Sequence, residues 1–303
     1  MHFLKETLES VLVQDPGPDQ MQIEVVDDCS TDGDVESLVN EVGRGRVLYY
    51  RQATNRGSLR NFETCLNKAR GQWVHLLHGD DKVRDGFYKE IEFLFCQFPE
   101  AGAAFTSHML MDERGREYFR VKGSAILAEE PCILPHWLHQ IAQRNRLQPP
   151  AMVVKRSVYE QLGGFFAVHF GEDWEMWVRI ASRYPVAYSP KYLSIYRVHN
   201  NNITTRSFLS GQTIKDLNKV INIIQNYLPE VEKKKIKQET LKNMSRYLAG
   251  NAYKVLHKHK NFRAALVQAT GALKMYPSKS IIRLVAILYI KCLVHFVKSK
   301  VSR

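Results

Sequence analysis

The chain has 303 residues, 45% hydrophobic and 24% charged, which allows one large or two smaller globular domains with ample core. Five scattered cysteines without metal-ligand spacing exclude a disulfide scaffold and predict reduced thiols. No run of about 18 uncharged apolar residues is present, which argues against a spanning helix, and with no signal peptide read at residue 1 the expected location is the cytoplasm.

The net charge of +12 is unevenly spread. Residues 1–206 hold 24 Lys and Arg against 27 Asp and Glu, whereas residues 207–303 hold 19 against 4. This predicts a near-neutral catalytic or binding body and a basic tail that meets an anionic lipid, a nucleic acid or an acidic partner.

Phe3, Leu4, Thr7, Leu8, Val11 and Leu12 recur at helical spacing, so the chain opens in an amphipathic helix over 3–13. No strand precedes it. Pro16, Gly17 and Pro18 end it. Gln22 to Val26 reads as a strand that ends in Asp27 and Asp28. Ser30, Thr31 and Asp32 suit the cap of a helix near 34–42. The acids here read equally as a capping turn or as acceptors for a ligand base or ribose. A strand over 46–51 follows. Asn55 to Ser58 makes a turn, and Phe62, Cys65, Leu66 and Ala69 share the apolar face of the next helix. Arg60, near the start of that helix, is either solvated or placed to reach a diphosphate.

Gly71 to Asp81 is the most informative stretch. A short apolar run reads as a buried strand and stops at Asp80 and Asp81. Open α/β sheets bind ligands beyond the carboxyl ends of their strands. Two carboxylates there make a hard-oxygen site for Mg²⁺ or Mn²⁺ shared with substrate phosphates, or else a polar turn. Strand and helix alternate from 3 to 98, which predicts βαβ units and a mostly parallel sheet.

Beyond that point a helix is expected over 85–98, a strand over 103–107, irregular chain over 109–134 and a helix over 134–143. A strand over 151–154 and a short helix over 157–162 follow. Trp174, Trp177, Val178 and Ala181 share one face of the next helix, which therefore docks on a core. Glu172 and Asp173 fall in its first turn, where the helix dipole keeps carboxylates ionised. One of them is a candidate base for an alcohol; a dipole-stabilising role is the alternative. Tyr192 to Val198 reads as the last strand, and His199 after it is a metal ligand, a phosphate contact or a plain surface histidine.

The tail predicts helices over 210–227, 231–258, 262–275 and 278–299. The last is apolar, with a stripe of Arg283, Lys291, His295 and Lys298 that suits a membrane surface; packing against the body is the alternative. Nucleic-acid binding ranks low, because no aromatics interleave the basic face.

Taken together, these segments resemble family 2 glycosyltransferases of the GT-A fold. Val25-Val26-Asp27-Asp28-Cys29-Ser30-Thr31-Asp32 is similar to their V-V-D-D-G-S-T-D signature. Asn55-Arg56-Gly57 with Arg60-Asn61 resembles N-x-G…R-N, and Ala69 to Asp81 resembles A-x-G-x-W/Y…D-D. Gly163-Gly164-Phe165 with Glu172-Asp173-Trp174 resembles G-G-F…E-D-W, and Tyr196-Arg197 with His199 resembles Y-R-x-H. The series spans about residues 4–205.

The resemblance implies a doubly wound, mostly parallel GT-A domain over 1–206, followed by a basic helical region over 207–303. It implies metal-dependent, inverting transfer from a nucleotide-sugar, preferably a UDP-sugar, to a cell-surface glycan or lipid-linked precursor. Asp28 would contact the base, Asp27 would support the turn and Arg60 would face the nucleotide. Asp80 and Asp81 would form the DXD-type site for Mg²⁺ or Mn²⁺, with Asp81 the direct ligand and His199 helping to hold metal or diphosphate. Asp173 would be the base, with Glu172 and Trp174 at the acceptor.

Two departures stand out. His78 occupies a position where relatives often carry an acid. The strand that opens the family, roughly V-S-V-I-I-P-x-Y-N, is missing, so residue 1 is expected to be an internal methionine of a truncated domain. A catalytically silent nucleotide-sugar-binding protein is the alternative function.

Overall fold

The computed structural model describes residues 1–119, 126–199 and 203–301. In chain order they form α1 (His2–Leu12), β1 (Glu24–Asp27), α2 (Val35–Gly43), β2 (Leu48–Arg51), α3 (Ser58–Lys68), β3 (Trp73–His75) and β4 (Lys82–Val83). Next come α4 (Phe87–Gln97), β5 (Ala103–Met111), β6 (Glu117–Tyr118), β7 (Cys132–Ile133), α5 (Trp137–Gln143), β8 (Met152–Lys155), α6 (Arg156–Leu162), α7 (Glu172–Ala181) and β9 (Val186–Arg197). Five helices complete the chain: α8 (Ile203–Ser210), α9 (Gln212–Ile224), α10 (Glu230–His259), α11 (Phe262–Met275) and α12 (Lys279–Val301).

Two compact units arise. Met1–Trp137, Arg146–Phe166 and Arg179–His199 make the first; Leu138–Asn145, Ala167–Val178 and Asn200–Arg303 make the second. In the first, β1 and β2 pair in parallel as a sheet of their own. A seven-stranded mixed sheet runs β3-β8-β5-β9-β4, with β6 on β5 and β7 on β9. Its central pair, β5 and β9, is parallel; the other pairs are antiparallel.

The core of the first unit joins both sheets through α1, α2 and α4. Leu8, Val11, Ile23, Val39, Val83, Phe87, Ile91 and Val153 lie buried in one cluster. Their helical and alternating spacings are the sequence pattern realised as packing.

The two central strands are longer than local pattern predicts. β9 begins at Val186, six residues before the expected strand, and Pro190 inside it hides that first half from a reading of local pattern. The register against β5 jumps there, from Thr106 opposite Ser189 to Ser107 opposite Tyr192. Pro190 and Lys191 bulge out, so the proline's missing N–H breaks no ladder bond.

In the second unit, the helix expected over 210–227 is α9 plus a short turn over Gln225–Tyr227. Gly211, at φ +78°, separates it from α8, a left-handed conformation that favours glycine. α10 and α11 pack through small and branched side chains: Leu248, Ala249, Ala252 and Val255 against Ala265, Ala269 and Ala272.

Candidate active site

β4 and the end of β9 lie side by side, with Lys82 opposite Ile195 and Val83 opposite Ser194. This pairing brings Asp80 and Asp81, just ahead of β4, to Arg197 and His199. The Arg197 backbone N–H donates to Asp81 Oδ1 at 2.9 Å, and its Nε donates to the Asp80 carbonyl at 2.8 Å. Its Nη2 donates to Glu6 Oε2 on α1 at 2.8 Å. The guanidinium lies 4.3 Å from the centre of the Phe3 ring. With 1% of its surface exposed, Arg197 is a buried strut that ties the acid pair to the first helix. Thr7 adds a second tie, its hydroxyl donating to the Asp81 carbonyl at 2.7 Å.

The two acids have opposite electrostatics. Burial pushes the Asp80 carboxyl up, but the His199 hydrogen bond and the charges of His78 and His199 hold it below its ordinary value. His199 Nε2 lies 2.8 Å from Asp80 Oδ2. Burial and then the Asp80 charge push the Asp81 carboxyl well above its ordinary value, against the pull of Arg197. Asp81 Oδ2 is buried without a hydrogen-bond partner.

A cation would resolve that conflict. His78, Asp80 and Asp81 each offer a ligand atom, all within 4.8 Å of one another, and form the metal-competent group among the described residues. His78 Nδ1 stands 3.8 Å from Asp81 Oδ2, and the ring stacks on Phe62 at 5.3 Å. The residue read as a departure from the family pattern thus stands where it could offer a third donor atom. His199 stands behind Asp80, where a hydrogen bond orients a ligating carboxylate. An orphaned buried carboxylate oxygen beside another carboxylate and an imidazole fits a divalent ion such as Mn²⁺.

Asp27 and Asp28 build the neighbouring loops. Asp27 is 4% exposed; it accepts from the Ser30 backbone at 2.9 Å, the Tyr49 hydroxyl at 2.9 Å and Arg51 Nη1 at 2.6 Å. Burial raises its pKa, yet the bonds from Ser30 and Tyr49 and the Arg51 charge hold it below the ordinary value. Asp28 accepts from the backbone N–H groups of Arg56 and Gly57 at 2.7 and 2.9 Å, which fixes the turn entering α3. Cys29 between these loops holds φ +60°, in line with the glycine that the family signature carries there. Arg60 is exposed and paired with Glu63 at 2.7 Å.

The second acid pair belongs to the second unit, at the start of α7. Asp173 Oδ1 accepts from the Trp174 N–H at 2.7 Å and Oδ2 from Asn145 Nδ2 at 2.8 Å. Glu172 is pushed well above its ordinary value, first by burial, then by Asp173, with Asp216 of α9 adding to it. Trp174 is 1% exposed, and its indole N–H donates to the Ile141 carbonyl at 2.6 Å. That corrects its expected place at the acceptor: it is a core residue that docks α7 on α5.

Local pattern missed the Arg197 strut, β4 and the place of His78 beside the two acids. The motif containing Arg197 was visible, but nothing adjacent to it signals an acid pair more than a hundred residues away.

Residues 2–129 match the family model described as glycosyl transferase family 2. The chain is 32% identical over 120 residues to the Bacillus subtilis glycosyltransferase TuaG, named for teichuronic acid biosynthesis; the match covers 37% of this chain and 44% of TuaG. It is 25% identical over 227 residues to an uncharacterized Mycobacterium tuberculosis protein, 72% of this chain and 70% of that one. Among solved structures, S. aureus TarS 1-349 in complex with UDP-GlcNAc matches with a TM-score of 0.67 at 17% identity, over 93% of this chain and 80% of that chain. The mannosyltransferase PcManGT from Pyrobaculum calidifontis, in complex with GDP-Man and Mn²⁺, matches with a TM-score of 0.58 at 20% identity, over 96% and 77%. These likenesses show the fold.

Proposed function

We propose that the chain is a family 2 glycosyltransferase of GT-A fold, as the match over residues 2–129 supports, and that it moves a sugar, with inversion, from a UDP-sugar to a hydroxyl of a cell-surface glycan or its lipid-linked precursor. The observation that carries the metal-dependent part is the buried, unpartnered Asp81 oxygen beside Asp80 and His78. Asp81, Asp80 and His78 would hold the ion, with His199 orienting Asp80. A divalent ion held there would supply positive charge to a leaving diphosphate.

The protein's own groups account for the rest. Asp28 and Asp27 shape the loop that receives the base and ribose, and Arg60, once turned from Glu63, supplies charge to the diphosphate. Asp173 takes the proton from the attacking hydroxyl, and Glu172 contacts the acceptor. Asn145 and the Trp174 N–H steady the Asp173 carboxylate. A single base with no covalent intermediate gives inversion at the anomeric carbon. Support for the donor and acceptor comes from the UDP-GlcNAc held by TarS and the teichuronic acid in the name of TuaG. The family match does not favour the silent-binder alternative.

Calorimetric titration of the full chain with UDP tests the reading. Binding is expected with Mn²⁺ and at least about tenfold weaker in EDTA and in Asp81→Asn, the range found for metal-site defects. Equal binding with and without metal overturns the metal assignment. Binding without turnover of any UDP-sugar revives the silent binder.

A further inference from the structure

The second unit carries a charge imbalance that the sugar-transfer chemistry does not use. Residues 240–303 hold 13 Lys and Arg and no Asp or Glu. α12 buries one narrow face, Ile281, Val285, Leu288 and Cys292, against α10 and α11. Its remaining surface is what a water-exposed helix avoids. Ile282, Ile287, Tyr289, Ile290, Leu293 and Val294 are 41–62% exposed. At about 100° per residue they spread over roughly half the helix circumference. Lys279, Arg283 and Lys291 are exposed on the same helix. Lys291 Nζ lies 5.6 Å from the Tyr253 ring and 3.4 Å from His257 Nε2, which continues the cationic, aromatic surface onto α10.

We propose that this exposed face of α12 rests on an anionic lipid bilayer, its apolar side chains at the acyl boundary and its Lys and Arg at the lipid phosphates. The charge decides the occupant. A second copy of the chain would set one acid-free cationic face against another, which like-charge repulsion disfavours. A nucleic acid would use the cations and leave the isoleucines and leucine in water. An anionic bilayer surface satisfies both kinds of side chain at once. The helix lies on the surface and does not cross it, since no helix among the described residues is long and apolar enough to span.

The test is sedimentation of the full chain with sucrose-loaded vesicles of phosphatidylcholine, and of phosphatidylcholine and phosphatidylglycerol in equal parts. Binding to the mixed vesicles is expected to be about a hundredfold tighter, since each of the three cations on α12 contributes about 1 kcal/mol near an anionic surface. Ile290→Ser with Leu293→Ser should weaken it at least about tenfold without adding charge, by removing buried apolar area. Both residues are more than half exposed, so the double variant should keep the parent's melting temperature and its hydrolysis of a soluble UDP-sugar. Equal binding to the two vesicle types, or unchanged binding by the double variant, overturns the proposal. So does a dimer in light scattering that the double variant dissociates, or binding to duplex DNA in place of vesicles.

Discussion

Two adjacent acid pairs, Asp80–Asp81 in the first unit and Glu172–Asp173 in the second, look alike in sequence and differ in what surrounds them. In each, one carboxyl is driven well above its ordinary value by burial and by its neighbour's charge. Around Asp81 the remaining groups are donors for a cation: Asp80, the His78 imidazole and an orphaned oxygen of its own. Around Glu172 the third group is another acid, Asp216, while Asp173 is steadied by two N–H donors. The first pair gains from positive charge between its members. In the second, burial and the Asp173 charge raise the Glu172 carboxyl, while two N–H donors hold the Asp173 side chain in place. Like charges brought together under burial thus acquire different electrostatics according to the third partner.

The largest expected effect separates the two pairs by role. Asp173→Asn should lower transfer about 10²–10⁴-fold, the usual share of a general base, and leave Mn²⁺-dependent UDP binding within about twofold. Unchanged transfer, read by product formation from a UDP-sugar, would remove Asp173 from its role.

Next is the strut under the first pair. Glu6→Ala leaves the buried Arg197 guanidinium without its carboxylate, and should cost about 3 kcal/mol in urea unfolding. The same variant should weaken Mn²⁺-dependent UDP binding, because Arg197 holds both acids. A change under about 0.5 kcal/mol, the size of an ordinary surface substitution, would show that the strut bears no strain.

A smaller effect tests the third donor. His78→Asp replaces an imidazole by a harder oxygen and should shift relative activation from Mn²⁺ toward Mg²⁺ by about tenfold. An unaltered Mn²⁺ to Mg²⁺ ratio in the activation curves would take His78 out of the ligand set.

The smallest concerns the raised carboxyl of the second pair. The folded-state pKa of Glu172 is raised, so the folded chain binds its proton more tightly than the unfolded chain. Stability therefore falls as pH rises through the unfolded value of 4.5 toward the folded one. Glu172→Gln should unfold later than the parent at pH 8, by on the order of 1 kcal/mol, and match it near pH 4. Equal melting curves at both pH values would mean that Glu172 ionises freely.

Much of the arrangement was legible in the residues. Acids at the ends of short apolar runs marked strand ends, two of them in the His78, Asp80 and Asp81 group, and Trp174 and Trp177 marked the buried face of α7. Some elements were not. Pro190 hid the first half of β9, because a bulge that tolerates proline exists only where a partner strand shifts register. The two-residue β4 carries no periodicity of its own and is a strand only through its pairing with β9.

The sequence by itself determined what depends on neighbours a few residues apart: the helices, the strand ends and the adjacent acids. The tertiary structure alone decided which carboxyl is raised above its ordinary value, where Trp174 points and what His78 stands beside. Those properties come from partners far along the chain: Arg197 meets Asp81 across 116 residues and Glu6 across 191. Burial and Coulomb interactions act through space, and a pattern read along the chain carries no record of which distant charges the fold sets side by side.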